Sequence, residues 1–391
     1  MTLTFADSTR STIGIEWELQ LVDKDSNDLR QAANAVIERA WEDATLAPHI
    51  HREMLLNTVE VTSAPHSTVA DCLSDIRRAV AGLRPITNEL RTDVATAGSH
   101  PFAKPRYQRV TDSQRYEELV RRTEYWGRQM LLFGVHVHVG VESRNKVLPI
   151  VNALVTQAGR LQAISASSPF WAGEDTKYAS NRAMVFQQLP TAGIPRQFQR
   201  WEELEAYEDG MRTAGVIEGF DEIRWDIRPS PGLGTIELRI FDACTNIREV
   251  EAVASLSHCL VDHYSSMIDA GETLPWLPDW FVAENKWRSA RYGLEARLIC
   301  GPRGKQGFTR DLLAETIDEL RPTARRLGCE RGLDYALEIL DFGAAYERQR
   351  KVSRMVERGG LDAVVELMRA EMSADRPLDP EEFLESRGRY T

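Results

Sequence analysis

Residues 131–141, LLFGVHVHVGV, alternate with a period of two: Val135, Val137, Val139 and Val141 share one face, and Gly134, His136, His138 and Gly140 share the other. A helix would scatter those valines around its axis, so this run is a strand with one apolar and one polar face. Two more runs repeat the plan. In residues 11–22 Ile13, Ile15, Trp17, Leu19 and Leu21 oppose Gly14, Glu16, Glu18 and Gln20, and in 235–241 Ile236, Leu238 and Ile240 oppose Thr235, Glu237, Arg239 and Phe241. A fourth run, NTVEVTS at 57–63, sets Val59 and Val61 against Thr58, Glu60 and Thr62. If these strands share a sheet, one of its faces becomes a floor of carboxylates, imidazoles and a guanidinium.

Between the strands the spacing is helical. It predicts helices over 31–44, from a Ser67 or Thr68 cap through Leu83 with a kink near Pro85, over 113–127, and over 145–168. A short strand is expected at 93–98 and another at 223–228, before the turn PSPGLG. Residues 170–200 read as an irregular connection of the kind that is usually functional. The run WEELEAY at 201–207 reads as a solvated helix, and from Arg248 onward the pattern is helical. No repeat or linker interrupts it. The expectation is one α+β domain over 1–391, with the sheet in 11–245 and a helical part in 246–391.

Composition narrows the function classes. With 48 Lys+Arg against 59 Asp+Glu the net charge is −11, which argues against a nucleic-acid surface. No apolar run has the length of a membrane helix, and the first residues lack a signal peptide's plan, so no membrane partner and a cytoplasmic location are expected. Cys72, Cys244, Cys259, Cys300 and Cys329 are odd in number and scattered, and read as reduced core residues.

The chemistry lies in the recurrence of paired polar groups. A single E-x-E or H-x-H is commonly just a strand's solvated face, and Glu237 with Arg239 alone could be a surface ion pair. Carboxylates gathered from several strands repel unless a cation neutralises them. Hard oxygen ligands suit Mg²⁺ or Mn²⁺, ions that usually serve substrate phosphates, and an arginine among the acids can take the phosphate oxygens left uncovered. Glu53 lies seven residues before Glu60, so a turn or bulge must intervene if both face one cleft. P-loop, Rossmann, zincin and nucleophile-elbow motifs are absent. GPRGKQG, Gly301–Gly307, lacks the Ser/Thr after Lys305 and a preceding strand, and reads as a mobile surface turn. Residue chemistry alone leaves a metal-dependent hydrolase open beside a phosphoryl-handling enzyme.

The ordered set TIGIEWELQLVD, NTVEVTSAP, GVHVHVGV, YASNRAMVFQQLPTAGIP, WDIRPSPGLGTIELRIFDA, ENKWRSARYGL and AYERQR, from about residue 12 to 350, resembles the glutamate–cysteine ligase type 2 family of bacterial carboxylate–amine ligases. The resemblance implies a glutamine-synthetase/guanido-kinase-like fold, a curved antiparallel sheet of about six strands forming a funnel with helices outside. It implies an ATP- and Mg²⁺-dependent (or Mn²⁺-dependent) ligase joining glutamate to cysteine through an acyl phosphate, with small-molecule substrates and a homodimer. By the same resemblance Glu16, Glu18, Glu53, Glu60, His136 and Glu237 form the metal and phosphate-handling set. Arg239 contacts the transferred phosphoryl, with Glu18 and His136 beside it in catalysis, and His138 faces the nucleotide. Charge makes Arg182 and Arg228 candidates for the substrate's carboxylates. A different acid and amine, a guanidino kinase, or a nucleotide-binding regulator without catalysis are the alternatives.

Overall fold

The computed structural model describes residues 3–387; the two first and four last residues of the expected domain lie outside the described residues. Seven strands form one antiparallel sheet: β1 (Ile13–Asp23), β2 (Ile50–Arg52), β3 (Thr58–Thr62), β4 (Thr92–Ala95), β5 (Gly134–Gly140), β8 (Ile227–Ser230) and β9 (Thr235–Asp242). The order is β2-β3-β1-β5-β9-β8, with β4 pairing the end of β1 beyond the stretch that pairs β5. Two small hairpins stand apart, β6 (Phe170–Trp171) with β7 (Glu174–Asp175), and β10 (Arg297–Gly301) with β11 (Lys305–Phe308).

Helices α1 (Ala33–Trp41), α2 (Val69–Glu89), α3 (Gln114–Thr123), α4 (Arg144–Leu154), α5 (Ala158–Ser165), α6 (Asn181–Phe186) and α7 (Trp201–Thr213) are interleaved with the strands. The last third is built from α8 (Ile247–Asp269), α9 (Asp279–Tyr292), α10 (Thr309–Leu327), α11 (Glu330–Phe342), α12 (Ala345–Met355), α13 (Gly360–Ala374) and α14 (Pro380–Arg387). The apolar strand faces, with Trp17, Val59, Val137 and Leu238 fully buried, merge with α2, α4, α5 and α8 into one core. Burying those faces against helices leaves the opposite, polar face as the wall of a cleft.

Several expectations shift. The strand near residue 225 is Ile227–Ser230 rather than 223–228, because the backbone of 224–226 is tied to the 191–193 loop, Asp226 N–H donating to Gly193 O at 2.8 Å, before the chain joins the sheet. As the sheet's edge strand, β8 tolerates Pro229, which has no N–H to give. Pairing β5 with β9 shifts register between Val135 and Val137, so Phe241 lies opposite Val135 in the core instead of on the polar face. The expected 145–168 helix is broken by a 3₁₀ turn at Val155–Gln157, whereas α2 runs through Pro85 as one helix. Its cap is Thr68, whose Oγ1 accepts the Asp71 N–H at 3.2 Å.

The 170–200 connection holds the β6–β7 hairpin and α6. Helix α7 is only half solvated, since Trp201, Leu204 and Glu208 are buried. GPRGKQG does follow a strand: it is the β10–β11 turn, with Arg303 and Gly304 at φ 59° and 78°. All five cysteines are unbridged, and Cys300 is half-buried rather than a core residue.

Candidate active site

Antiparallel register assembles the polar face. Glu16 lies opposite His136, Glu18 opposite Glu60, His138 opposite Glu237, and Glu237 opposite Arg228. Glu53 joins them because the chain reverses between β2 and β3, the intervening turn its spacing requires. Three groups of ligand atoms result, each within 4.8 Å of one another: Glu18, Glu53 and Glu60; Glu16, Glu60 and His136; Glu16, His138 and Glu237. Glu60 links the first to the second and Glu16 the second to the third, so they form a continuous row.

The distances show how tightly this row is held. Glu16 Oε2 lies 3.0 Å from His136 Nδ1, and its Oε1 lies 3.3 Å from His138 Nε2. His138 Nδ1 meets Thr235 Oγ1 at 3.0 Å, and Glu18 accepts the Gly134 N–H. Glu237 is clamped by Arg239 Nη1 at 2.5 Å and Arg228 Nε at 2.7 Å.

Electrostatics divide the acids. Burial pushes Glu16 upward, but its contacts with His136 and His138 outweigh that and hold it well below the usual carboxylate range. Glu237 is likewise held down, burial being overcome by Arg239, His138 and Arg228. Burial and the neighbouring Glu53 push Glu18 up to about 8. Burial with Glu53, Glu16 and Glu18 raises Glu60 well above its ordinary value. Burial, then Arg239, pushes His136 down to about 4, which leaves its imidazole neutral. Among the described residues the buried Nε2 of His136 and Nε of Arg239 have no hydrogen-bond partner, and His138 Nε2 meets only Glu16 Oε1, at 3.3 Å and outside good hydrogen-bond geometry. Orphaned imidazole nitrogens beside carboxylates that repel one another fit divalent cations.

Two cavities flank the row and share Glu16 and Glu60. One, of about 210 Å³, is lined by Glu18, Glu53, His136, Arg182, Arg224 and Arg239, with Met54, Leu132 and Phe186 among its apolar wall. The other, of about 640 Å³, has walls from Ile15, His51, Thr62, Pro65, His138 and Leu233. Of the two arginines expected at substrate carboxylates, Arg182 lines the first cavity. Arg228 does not; its donors go to Glu237 and to the carbonyls of Asp221 and Ile223. Arg224, four residues earlier, lines that cavity and was hidden by the misplaced strand. His51 escaped because β2 is three residues long, too short for periodicity to show.

The model of glutamate–cysteine ligase family 2 matches residues 12–367. A protein of Paenarthrobacter aurescens (strain TC1) with the provisional name glutamate–cysteine ligase 2-2 is 49% identical over 371 residues, 93% of this chain and 97% of that one.

The chain belongs to glutamate–cysteine ligase family 2.

Another relative, from Mycobacterium ulcerans (strain Agy99) and provisionally named glutamate–cysteine ligase 2, is 49% identical over 95% of this chain and 93% of its own. Among solved structures, glutamate–cysteine ligase from Francisella tularensis in complex with AMP aligns with a TM-score of 0.68 at 11% identity, covering 98% of this chain and 94% of that one. A bifunctional glutathione synthetase from Pasteurella multocida aligns at 0.60 with 16% identity, over 92% of this chain and 51% of that one. The antiparallel sheet with outer helices seen here is therefore the fold of these ligases. No helix among the described residues is long and apolar enough to cross a membrane.

Proposed function

We propose that this member of the family is an ATP-dependent carboxylate–amine ligase that joins L-glutamate to L-cysteine through a γ-glutamyl phosphate. The observation that carries the proposal is the row of acids and imidazoles between two unlike cavities, one lined by three arginines and one by none. The row suits a triphosphate: Glu16, Glu18, Glu53, Glu60, His136, His138 and Glu237 supply the ligands for Mg²⁺ or Mn²⁺. Bound there, the cations neutralise phosphate charge. The cavity beside His138, which has no arginine in its wall, takes the nucleotide, and the arginine-lined one takes the acid.

Each residue then has a task. Arg182 holds a carboxylate of the acid substrate. Arg239, fixed by Glu237 through Nη1, lines the cavity where charge builds on the transferred phosphoryl, and because it is already held it needs no reorganisation to stabilise that charge. Arg228 braces Glu237 from the other side. Met54, Leu132 and Phe186 keep water from the acyl phosphate, which must survive until the amine attacks. Phosphate release by the purified protein with Mg-ATP should require both glutamate and cysteine; equal release with neither would refute the proposal.

The five unbridged cysteines support a cytoplasmic location. The C-terminal helices give no support to a dimer, since Val364, Val365, Leu367 and Met368 are buried within the chain. Support comes instead from α9, whose outer face carries Trp280 and Trp287, 66% and 40% exposed. Asp279 begins this helix and Arg291 lies in its last turn, so an antiparallel two-fold pairing of copies would set opposite charges together. Sedimentation equilibrium at micromolar concentration should find a dimer that Trp280→Ser with Trp287→Ser dissociates. A monomer for the unmutated chain would exclude it.

A further inference from the structure

Three motifs of the sequence, YASNRAM, ENKWRSARYGL and AYERQR, supply no ligand to the carboxylate row, yet they meet around one buried group. That group is Asp242, the last residue of β9 and fully buried. Its Oδ2 accepts the Ser167 N–H at 3.0 Å and the Ser168 hydroxyl at 2.6 Å, and its Oδ1 accepts the Ser180 hydroxyl at 2.7 Å. The two hydroxyl oxygens pass the order on. Ser168 Oγ accepts the Arg182 N–H and Ser180 Oγ accepts the Ala183 N–H, both at 3.1 Å. These are first-turn amides of α6, a six-residue helix too short to hold itself.

The other motifs close the cage. Ala290 O, from ENKWRSARYGL, accepts the Ala179 N–H at 2.8 Å and the Ser180 N–H at 3.0 Å. Gln349 Nε2, from AYERQR, donates to Ser167 O at 2.9 Å. Two glycines clear the space: a Cβ on Gly98 would lie 2.5 Å from Asp242, and one on Gly134 would lie 2.5 Å from the Arg182 guanidinium. The one side chain this cage delivers to the arginine-lined cavity with a charge is Arg182, steadied by a 3.1 Å hydrogen bond from Nη2 to Arg239 O.

We propose that Asp242 is a positioning residue for the acid substrate: through Ser168 and Ser180 it fixes the start of α6 and so aims Arg182. The inference rests on the ligase reading. A carboxylate is needed because three donors converge on it. In Asp242→Asn the amide NH₂ takes the place of one carboxylate oxygen and cannot accept, so a seryl hydroxyl that donates to Asp242 is left without its acceptor and no longer holds its oxygen toward α6.

The test uses the full-length protein with Mg-ATP, glutamate and cysteine. Asp242→Asn and Arg182→Lys should each raise KM for glutamate about tenfold or more, while Mg-ATP affinity by calorimetry stays within about twofold. The double variant should be about as impaired as the worse single one, because the two residues act as one unit. An unchanged KM for glutamate in Asp242→Asn, or losses that multiply in the double variant, would overturn the inference. If Asp242→Asn does not fold, Ser168→Ala with Ser180→Ala removes the same relay and is read the same way. If the unmutated protein shows no glutamate-dependent phosphate release, the ligase reading fails instead. Hydrogen exchange then decides: amides 182–183 should exchange about tenfold faster or more in the variant with the sheet unchanged, and equal exchange would overturn the relay.

Discussion

Arg239 stands between two demands, since its Nη1 clamps Glu237 at 2.5 Å while its side chain lines the cavity proposed for the acid. A residue that only held Glu237 could be replaced by lysine at little loss, because Arg228 holds the same carboxylate. A residue that stabilises a phosphoryl cannot, because a point charge does not reproduce a planar fork. Arg239→Lys should therefore lower kcat by about a hundredfold or more with KM for ATP within about threefold, measured by steady-state kinetics. Unchanged kcat would reduce Arg239 to a brace. The acids carry the opposite stress. In the absence of cations Glu18, raised to about 8 by burial and Glu53, opposes folding at every pH above its unfolded value near 4.5. The folded state binds the extra proton, so metal-free stability should rise as pH falls from 8 toward 4.5. Glu18→Gln should flatten that rise and increase the metal-free Tm at pH 8 by roughly 1–3 °C, while turnover drops about a hundredfold or more. A lower Tm with normal turnover would remove Glu18 from the site.

At the scale of elements, the strands that bear chemistry are those legible in the sequence, because each has one face in the core and one in the cleft. β1, β3, β5 and β9 announce themselves by alternation. β2, with three residues, and the edge strand β8, with Pro229, do not, and the bulge that turns Phe241 inward is set by pairing with β5, a contact more than a hundred residues away. The loop after β4 makes a separate prediction. His100 is buried, with Nε2 donating to Asn27 O at 2.9 Å and Nδ1 accepting the Ala103 N–H at 3.0 Å, so only the neutral ring fits. Burial pushes it down to about 4 against an ordinary value of 6.5. A depressed histidine gives its full contribution above 6.5 and loses it as pH falls through 4, a loss of up to about 3 kcal/mol. Urea midpoints from pH 7 to 4.5 should fall less steeply for His100→Gln than for the unmutated chain, and parallel curves would contradict this.

Across the whole molecule, the candidate site is a row of cation ligands with a different cavity at each side. Most of that row was readable: Glu16, Glu18, Glu60, His136, His138, Glu237 and Arg239 all lie on the polar strand face. Their supports were not, because Asp242, Ser168, Ser180 and Gly98 come together only through long-range packing that no local period encodes. In the proposed reading the asymmetry of the two cavities sets a direction, nucleotide on one side and acid on the other, with the phosphoryl crossing between. Glutamate labelled with ¹⁸O in its side-chain carboxylate tests that crossing most directly, by mass spectrometry of the products formed with ATP and cysteine. One ¹⁸O should appear in each phosphate released alongside ADP; unlabelled phosphate, or label in AMP with release of pyrophosphate, would contradict transfer of the phosphoryl to the acid.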